Sequence, residues 1–191
     1  MAEDRLKKEY KIIVIGGSAG SLEVIFSMLQ YIITVKFPVV IILHRKSSTD
    51  SFLVEVLSVR SLMPVKEAEE KEEVKQGTVY LAPPDYHLLV ESDHTFSLDY
   101  SEKVNYSRPS IDVTFESVAG VYGAGVLGIL LSGGNADGVL GLTAIKSAGG
   151  TSIVQDPGTA EIAFMPGYAV NNASVDVILQ AGEFANYINS L

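Results

Sequence analysis

The sequence predicts an α/β fold, a doubly wound and mostly parallel sheet with helices on both faces and an antiparallel hairpin at one edge. Short apolar runs rich in β-branched residues alternate with stretches of helical periodicity, as in parallel sheets whose strands are connected by helices. The chain has 191 residues, 47% of them hydrophobic, which suits one domain with a sizeable core. We find no repeat, low-complexity segment or proline-rich linker, so one domain over residues 1–191 is predicted.

The first half of the chain contains three predicted strands, two helices and the hairpin. IIVIG (12–16), PVVIILH (38–44) and TVYLAPP (78–84) are too short and too apolar for surface helices, and two prolines end the third. SLEVIFSMLQYI (21–32) and SFLVEVLSV (51–59) are the predicted helices, the first with clear helical spacing of its apolar residues. YHLLVE (86–91) and TFSLDY (95–100) flank the turn-like Ser92-Asp93-His94, which indicates a hairpin.

The second half continues the alternation of helices and strands. RPSIDVTFESVAGVYG (108–123) predicts a helix capped by Ser110, and GVLGILLSGG (125–134) a buried strand. A helix at DGVLGLTAIKSAGG (137–150) ends in glycines and precedes a short strand, TSIVQ (151–155). FMPGYAVNNA (164–173) predicts a short helix, VDVIL (175–179) the last strand and AGEFANYINSL (181–191) a terminal helix.

Composition excludes several classes of function. The net charge of −9 argues against nucleic-acid binding, which relies on clustered Lys and Arg. The acidic run KEAEEKEEVKQG (66–77) is interpreted as a solvated surface, with a docking patch for a basic partner as the alternative. With no cysteine, the chain has no disulfide and no thiolate nucleophile. The charged N-terminus does not resemble a signal peptide, and no apolar run approaches the roughly 20 residues of a membrane-spanning helix, so we expect a cytoplasmic protein without direct membrane insertion.

Three polar residues follow strongly apolar strands: Ser18, His44 and Asp137. In parallel sheets, sites form at the carboxyl ends of the strands. Ser18 lies in Gly16-Gly17-Ser18-Ala19-Gly20, which matches the G-x-S-x-G nucleophile pattern between a strand and a helix. Alternatively, this serine caps the helix, or the turn binds a phosphate, although the dinucleotide and P-loop signatures are incomplete.

A serine, a histidine and an aspartate are the residue types that an activated serine needs. His44 would take the proton of Ser18, and Asp137 would orient the imidazole and stabilise its charged form. Taken singly, His44 could be an incidental loop residue and Asp137 the N-cap of the next helix. His87 and His94 are poorer candidates because they lie in or beside the predicted hairpin turn, and the spacing of the three histidines indicates no metal site.

Several long motifs then occur in an order that is typical of one family. They are IIVIGGSAGS, the strand end at His44, GTVYLAPPDYHLLVE, SRPSIDVTFESVA, GVLGILLSGGNADGVLGL and QDPGTAEIAFMPGYAV. The sequence resembles the catalytic domain of the bacterial chemoreceptor methylesterases, the protein-glutamate methylesterase/glutamine deamidase family. The resemblance implies a Ser-His-Asp triad at Ser18, His44 and Asp137, no cofactor, and hydrolysis of γ-glutamyl methyl esters on receptor cytoplasmic helices with release of methanol.

The resemblance also directs attention to residues around the triad. Backbone N–H groups must stabilise the oxyanion, and we expect them at Ala19 and Gly134. Four residues of family motifs are candidates for substrate binding, although two of them could simply begin a helix: Arg108, Pro109, Ser110 and Met165.

The chain departs from the family pattern in three respects. Ala19 stands where the family commonly has threonine, and Gly134 where it has methionine. The residues before the first strand are too few for the usual N-terminal receiver domain, so we expect either a free-standing enzyme or a domain of a longer chain. A separate receiver or kinase stays open as a partner. Two rival functions therefore remain: an esterase acting on a different signalling protein, and a catalytically silent interaction module.

Overall fold

Seven parallel strands form the central sheet of this protein. The computed structural model describes residues 8–33, 35–45 and 52–191. Within them the strands of the sheet are β1 (Ile12–Gly17), β2 (Val39–Leu43), β3 (Val65–Glu67), β4 (Val79–Leu81), β7 (Val126–Leu130), β8 (Thr151–Gln155) and β9 (Val177–Leu179). Their order across the sheet is β3-β4-β2-β1-β7-β8-β9. A separate antiparallel pair consists of β5 (His87–Val90) and β6 (Phe96–Asp99).

Helices cover both faces of this sheet. They are α1 (Leu22–Tyr31), α2 (Leu53–Arg60), α3 (Ile111–Tyr122), α4 (Val139–Ser147), α5 (Phe164–Asn172) and α6 (Phe184–Asn189). Alternate residues of β1 enter two different cores: Ile13 and Ile15 pack with α1, α2 and α6, whereas Ile12 and Val14 pack with α3, α4, α5 and the hairpin. Burial on both faces explains why this strand is an unbroken apolar run rather than an alternating one.

The predicted fold class is confirmed, with two differences in detail. The hairpin forms a two-stranded sheet separate from the main sheet, and its Phe96 backbone also bonds to Lys71 and Glu72. Leu88 and Phe96 pack into the core that contains α3. The short edge strand β3 was not predicted, because it lies partly in the acidic run and carries Lys66 and Glu67. The predicted start of α2 at Ser51 lies outside the described residues. Among the described helices, none has the length and apolar character needed to cross a bilayer.

The topology brings three strand ends side by side. β1 lies between β2 and β7, with Gly17 opposite Leu43 and Gly16 opposite Leu130. Because all three strands run in the same direction, the loops that follow them start at the same edge of the sheet. Ser18 and His44 are the first residues after β1 and β2, and the loop after β7 leads to Asp137. The edge where a site was expected is therefore where these three residues lie.

Candidate active site

Ser18 lies in a sharp turn between β1 and α1. Its N–H donates to the carbonyl oxygen of Ser132 over 2.9 Å, and its own carbonyl accepts from the Ser21 hydroxyl over 2.6 Å. Gly20 has a φ of +79°, a conformation that favours glycine and lets the chain reverse here. The alternative interpretation of Ser18 as a helix cap is wrong, because Ser21 occupies the N-cap position of α1. The Ser18 hydroxyl has no hydrogen-bond partner among the described residues.

His44 and Asp137 form a direct contact across 93 residues of sequence. The distance from His44 Nε2 to Asp137 Oδ2 is 2.7 Å, and the aspartate side chain is 0% exposed. A carboxylate at this distance holds the imidazole with its proton on Nε2. The other ring nitrogen, Nδ1, is then unprotonated and available as a base.

Asp137 accepts hydrogen bonds from several groups besides His44. The Ile111 N–H donates to Oδ2 over 2.7 Å, and the Ser110 hydroxyl donates to Oδ1 over 2.8 Å. The Asn105 amide and the Asp112 N–H donate to Oδ1 over 3.1 and 3.2 Å. This carboxylate therefore faces the N-terminus of α3, where the free N–H groups and the helix dipole favour a negative charge.

The environment of Asp137 keeps it ionised. Burial by itself raises the pKa of this carboxyl, but hydrogen bonds from His44, the Ile111 N–H and the Asn105 amide outweigh it and lower the pKa from 3.8 to about 2. The interpretation of Asp137 as the N-cap of α4 is wrong, since Gly138 occupies that position and Asp137 contacts α3 instead. At neutral pH, Asp137 is a fixed negative charge beside the imidazole.

Ser18 and His44 line one cavity of about 230 Å³. Its other lining residues are Ala19, Gly20, Leu22, Leu43, Arg45 and Leu53. No hydrogen bond joins Ser18 and His44 within the described part of the chain, so the sequence-based expectation of a fully bonded triad is met only on the His44–Asp137 side. Such contacts are often long without substrate and tighten when it binds.

The two backbone N–H groups predicted to stabilise the oxyanion belong to Ala19 and Gly134. Among the described residues, neither the Ala19 N–H nor the Gly134 N–H has a hydrogen-bond partner. The loop that carries Gly134 runs against the nucleophile turn, because a Cβ added to Gly133 would lie 3.0 Å from the Ser18 Cβ. The N–H of Gly133 already donates to the Ile162 carbonyl, so Ala19 and Gly134 stay the predicted oxyanion donors.

The four residues considered for substrate binding lie differently from what the motifs indicated. Pro109, Ser110 and Met165 are buried, and their role in substrate binding stays a prediction. The Ser110 hydroxyl donates to Asp137, and the Met165 N–H donates to the Gly133 carbonyl. The Arg108 guanidinium donates to the carbonyls of Tyr100 and Ser101 and stacks 3.9 Å from the centre of the Tyr100 ring. Ser110 nevertheless caps α3, as predicted, by accepting from the Val113 N–H.

His87 and His94 lie outside the cavity. His87 is buried, accepts from the Ser110 N–H at Nδ1 and contacts the Glu102 carbonyl through Nε2. The ring of His94 lies 5.0 Å from the ring of Tyr122. Both histidines are thus occupied elsewhere, in agreement with their low rank as candidate bases.

Three residues of the site were missed in the sequence. Asn105 and Asp112 contact Asp137. The buried Ser132 hydroxyl donates to the Ala19 carbonyl and accepts from the Ile162 N–H. Asn105 and Asp112 flank or fall within the quoted SRPSIDVTFESVA motif, which was the one available signal. Their roles depend on contacts between segments distant in sequence, and spacing does not reveal these.

Comparison with known proteins assigns the family. The model of the CheB methylesterase family matches residues 13–188. The chain belongs to the CheB methylesterase family. A relative in Leptospira interrogans is 47% identical over 177 residues, covering 92% of each chain. The protein-glutamate methylesterase/protein-glutamine glutaminase of Thermotoga maritima is 36% identical over 177 residues, 90% of this chain and 51% of that protein.

The fold of a CheB catalytic domain extends over nearly all of the chain. The crystal structure of the Thermotoga maritima CheB methylesterase catalytic domain matches with a TM-score of 0.91 at 32% identity, over 95% of this chain and 98% of that one. The family resemblance and the enzyme class inferred from the motifs are confirmed at this level. The chain corresponds to a CheB catalytic domain and spans about half of the longer Thermotoga relative.

Proposed function

We propose that this protein is a serine hydrolase that demethylates γ-glutamyl methyl esters on the cytoplasmic helices of chemoreceptors. One observation carries the proposal: a fully buried, ionised Asp137 holds His44 at 2.7 Å in the cavity that also contains Ser18. This is the arrangement that converts a serine hydroxyl into a nucleophile. Membership of the CheB family supports the choice of a glutamyl methyl ester as substrate.

In the first half of the reaction, the Ser18 Oγ attacks the ester carbonyl carbon while Nδ1 of His44 takes the hydroxyl proton. The N–H groups of Ala19 and Gly134 stabilise the oxyanion that forms. The bond to the methoxy group then breaks, and His44 returns its proton to the leaving methoxide. Methanol departs, and a glutamyl ester of Ser18 remains.

In the second half, water attacks the glutamyl ester. His44 accepts a proton from the water and passes it to the Ser18 oxygen as that bond breaks, releasing a glutamate side chain. Asp137 stays ionised throughout and stabilises the imidazolium. A glutamine side chain follows the same path with ammonia as the leaving group, which accounts for deamidation. A cytoplasmic location and regulation by a separate receiver or kinase are parts of this proposal.

The test is the release of methanol from methylated receptor cytoplasmic fragments. The wild type should release methanol, whereas Ser18→Ala should reduce the rate by at least about 10³-fold. If the wild type binds the fragments but releases no methanol, the protein is a silent interaction module. Release from another methylated signalling protein, but from no receptor, would contradict the receptor substrate and leave the hydrolase chemistry intact.

A further inference from the structure

Asn105 contacts the two buried carboxylates of the site with a single amide group. Its Nδ2 donates to Asp112 Oδ2 over 2.9 Å and to Asp137 Oδ1 over 3.1 Å. Both acceptors are removed from water, with Asp112 3% and Asp137 0% exposed. The orientation of the amide is determined by these partners, because its oxygen cannot face two carboxylates without repulsion.

The backbone around Asn105 presents this amide from a tight turn. The N–H of Val104 donates to the Ser107 carbonyl and the N–H of Ser107 to the Val104 carbonyl, which leaves Asn105 and Tyr106 as the two central residues. Their φ angles are 50° and 62°, as in hairpin turns that favour asparagine at these positions. Tyr106 is 97% exposed, so the turn connects the solvent-facing surface with the buried carboxylates.

The two carboxylates repel one another when both are charged, and the amide offsets this repulsion by donating to both. Burial, hydrogen bonds to backbone N–H groups and the nearby charge of Asp137 act together on Asp112, and the net effect raises its pKa to about 6. The other titratable groups close to the pair are His44, which contacts Asp137, and Glu116, on the same helix as Asp112. Above this pH, both carboxylates are charged, and the Asn105 amide is a donor shared by the two.

We infer that Asn105 is a positioning residue for hydrolysis: its amide fixes the Asp137 carboxylate in the orientation that holds His44. The amide occupies Oδ1 together with the Ser110 hydroxyl and the Asp112 N–H, which leaves Oδ2 for the imidazole and the Ile111 N–H. Loss of the amide allows the carboxylate to rotate away from Asp112, and the alignment of His44 with Ser18 is lost. The hydrolysis in this inference rests on the proposed function, whereas the contacts of Asn105 do not depend on it.

The variant Asn105→Gly removes the side-chain amide but preserves the turn, because glycine adopts a positive φ without strain. For methanol release from methylated receptor fragments, we expect kcat to fall about tenfold with KM within about twofold, the effect of losing one hydrogen bond to a charged group. The variant Asn105→Asp places a third carboxylate in the pair and should lose more activity as the pH rises. Lys71→Gly is the matched control, because Lys71 is an exposed residue with a φ of 64° and no contact with the described site.

Two further measurements do not depend on the receptor. Hydrolysis of p-nitrophenyl acetate should show the same fall in kcat for Asn105→Gly, and the ¹³C resonance of the Asp137 carboxyl should titrate at higher pH, because the charged form has lost a donor. If both change while the wild type releases no methanol from receptors, the inference is supported and the proposed substrate is wrong. Unchanged kcat and unchanged titration in a folded variant would overturn the inference, as would a loss confined to KM.

Discussion

At the scale of single residues, Asp137 and Ser18 have opposite environments. Asp137 accepts hydrogen bonds from five donors and is fully buried, whereas the Ser18 hydroxyl has no partner within the described residues. Buried groups with many partners contribute to stability as well as to chemistry, and a free hydroxyl contributes to chemistry alone. The two residues should therefore respond differently to replacement, although both are assigned to the same reaction.

The variants Asp137→Asn and Ser18→Ala test this difference. In Asp137→Asn, an NH₂ group replaces one of the two carboxylate oxygens. Because both oxygens accept hydrogen bonds, this NH₂ group faces another donor in either orientation, and the free energy of unfolding should fall by about 3 kcal/mol. Ser18→Ala should change it by less than about 0.5 kcal/mol. Both variants should lose at least roughly 10³-fold in kcat. Urea unfolding together with methanol release measures both quantities, and equal stability of the two variants would contradict the assigned network.

At the scale of elements, the loop after β7 and the turn after β1 form one unit. The Ser132 carbonyl accepts from the Ser18 N–H over 2.9 Å, and the Ser132 hydroxyl donates to the Ala19 carbonyl over 2.8 Å. Gly133 packs so closely that a Cβ at this position would lie 2.5 Å from Met165 Cε and 3.0 Å from Ser18 Cβ. The position of the nucleophile thus depends on the absence of a side chain in a different loop.

Gly133→Ala should therefore displace the nucleophile turn. We expect a loss of about 2 kcal/mol in unfolding free energy from overpacking, and a fall in kcat of roughly tenfold to a hundredfold from misplacement of Ser18. Gly120→Ala is the control, since a Cβ on that exposed position of α3 meets no atom within 4 Å. This control should gain up to about 1 kcal/mol from helix propensity. Thermal unfolding and steady-state kinetics decide the matter, and a fully active Gly133→Ala would exclude the coupling between loop and turn.

At the scale of the whole molecule, one sheet separates two cores that share its central strands. Ile13 and Ile15 of β1 belong to one core, and Ile12 and Val14 to the other. Neither core can be lost without exposing this strand, so we propose that the chain unfolds as one domain in a single transition. The buried carboxyl pair then makes the stability of the entire domain depend on pH.

The pH dependence of stability has a defined sign. The folded pKa of Asp112 is about 6, above its ordinary value of 3.8, so its favourable contribution is present below pH 4 and lost as the pH rises through 6. The lowered pKa of Asp137 changes the stability only between about pH 4 and 2, so it does not affect the change expected above pH 4. From pH 4 to 7, the unfolding free energy of the wild type should decrease by about 2 kcal/mol relative to Asp112→Ala. Urea titrations at several pH values measure the difference, and parallel curves would refute it.

The sequence by itself determined the succession of strands and helices except for β3, and the residue types of the candidate site. Apolar runs such as Ile12–Gly17 report burial on both faces of a sheet, and a polar residue directly after such a run must lie at the edge of the sheet. Ser18 and His44 can be singled out on this ground from the residue pattern alone. The acidic run hid β3, because Lys66 and Glu67 lack the apolar pattern by which strands are recognised.

Only the tertiary structure decided what holds these residues in place. His44 and Asp137 are 93 positions apart, and Asn105 is 32 positions from Asp137, so their contacts depend on the paths of loops and not on local spacing. The packing of α3 brings the Ile111 N–H to Asp137. This carboxylate therefore accepts from the N-terminus of α3, although it precedes α4 in the sequence. Periodicity records which side of an element is buried. Hydrogen bonds between distant segments arise only when the whole chain has folded.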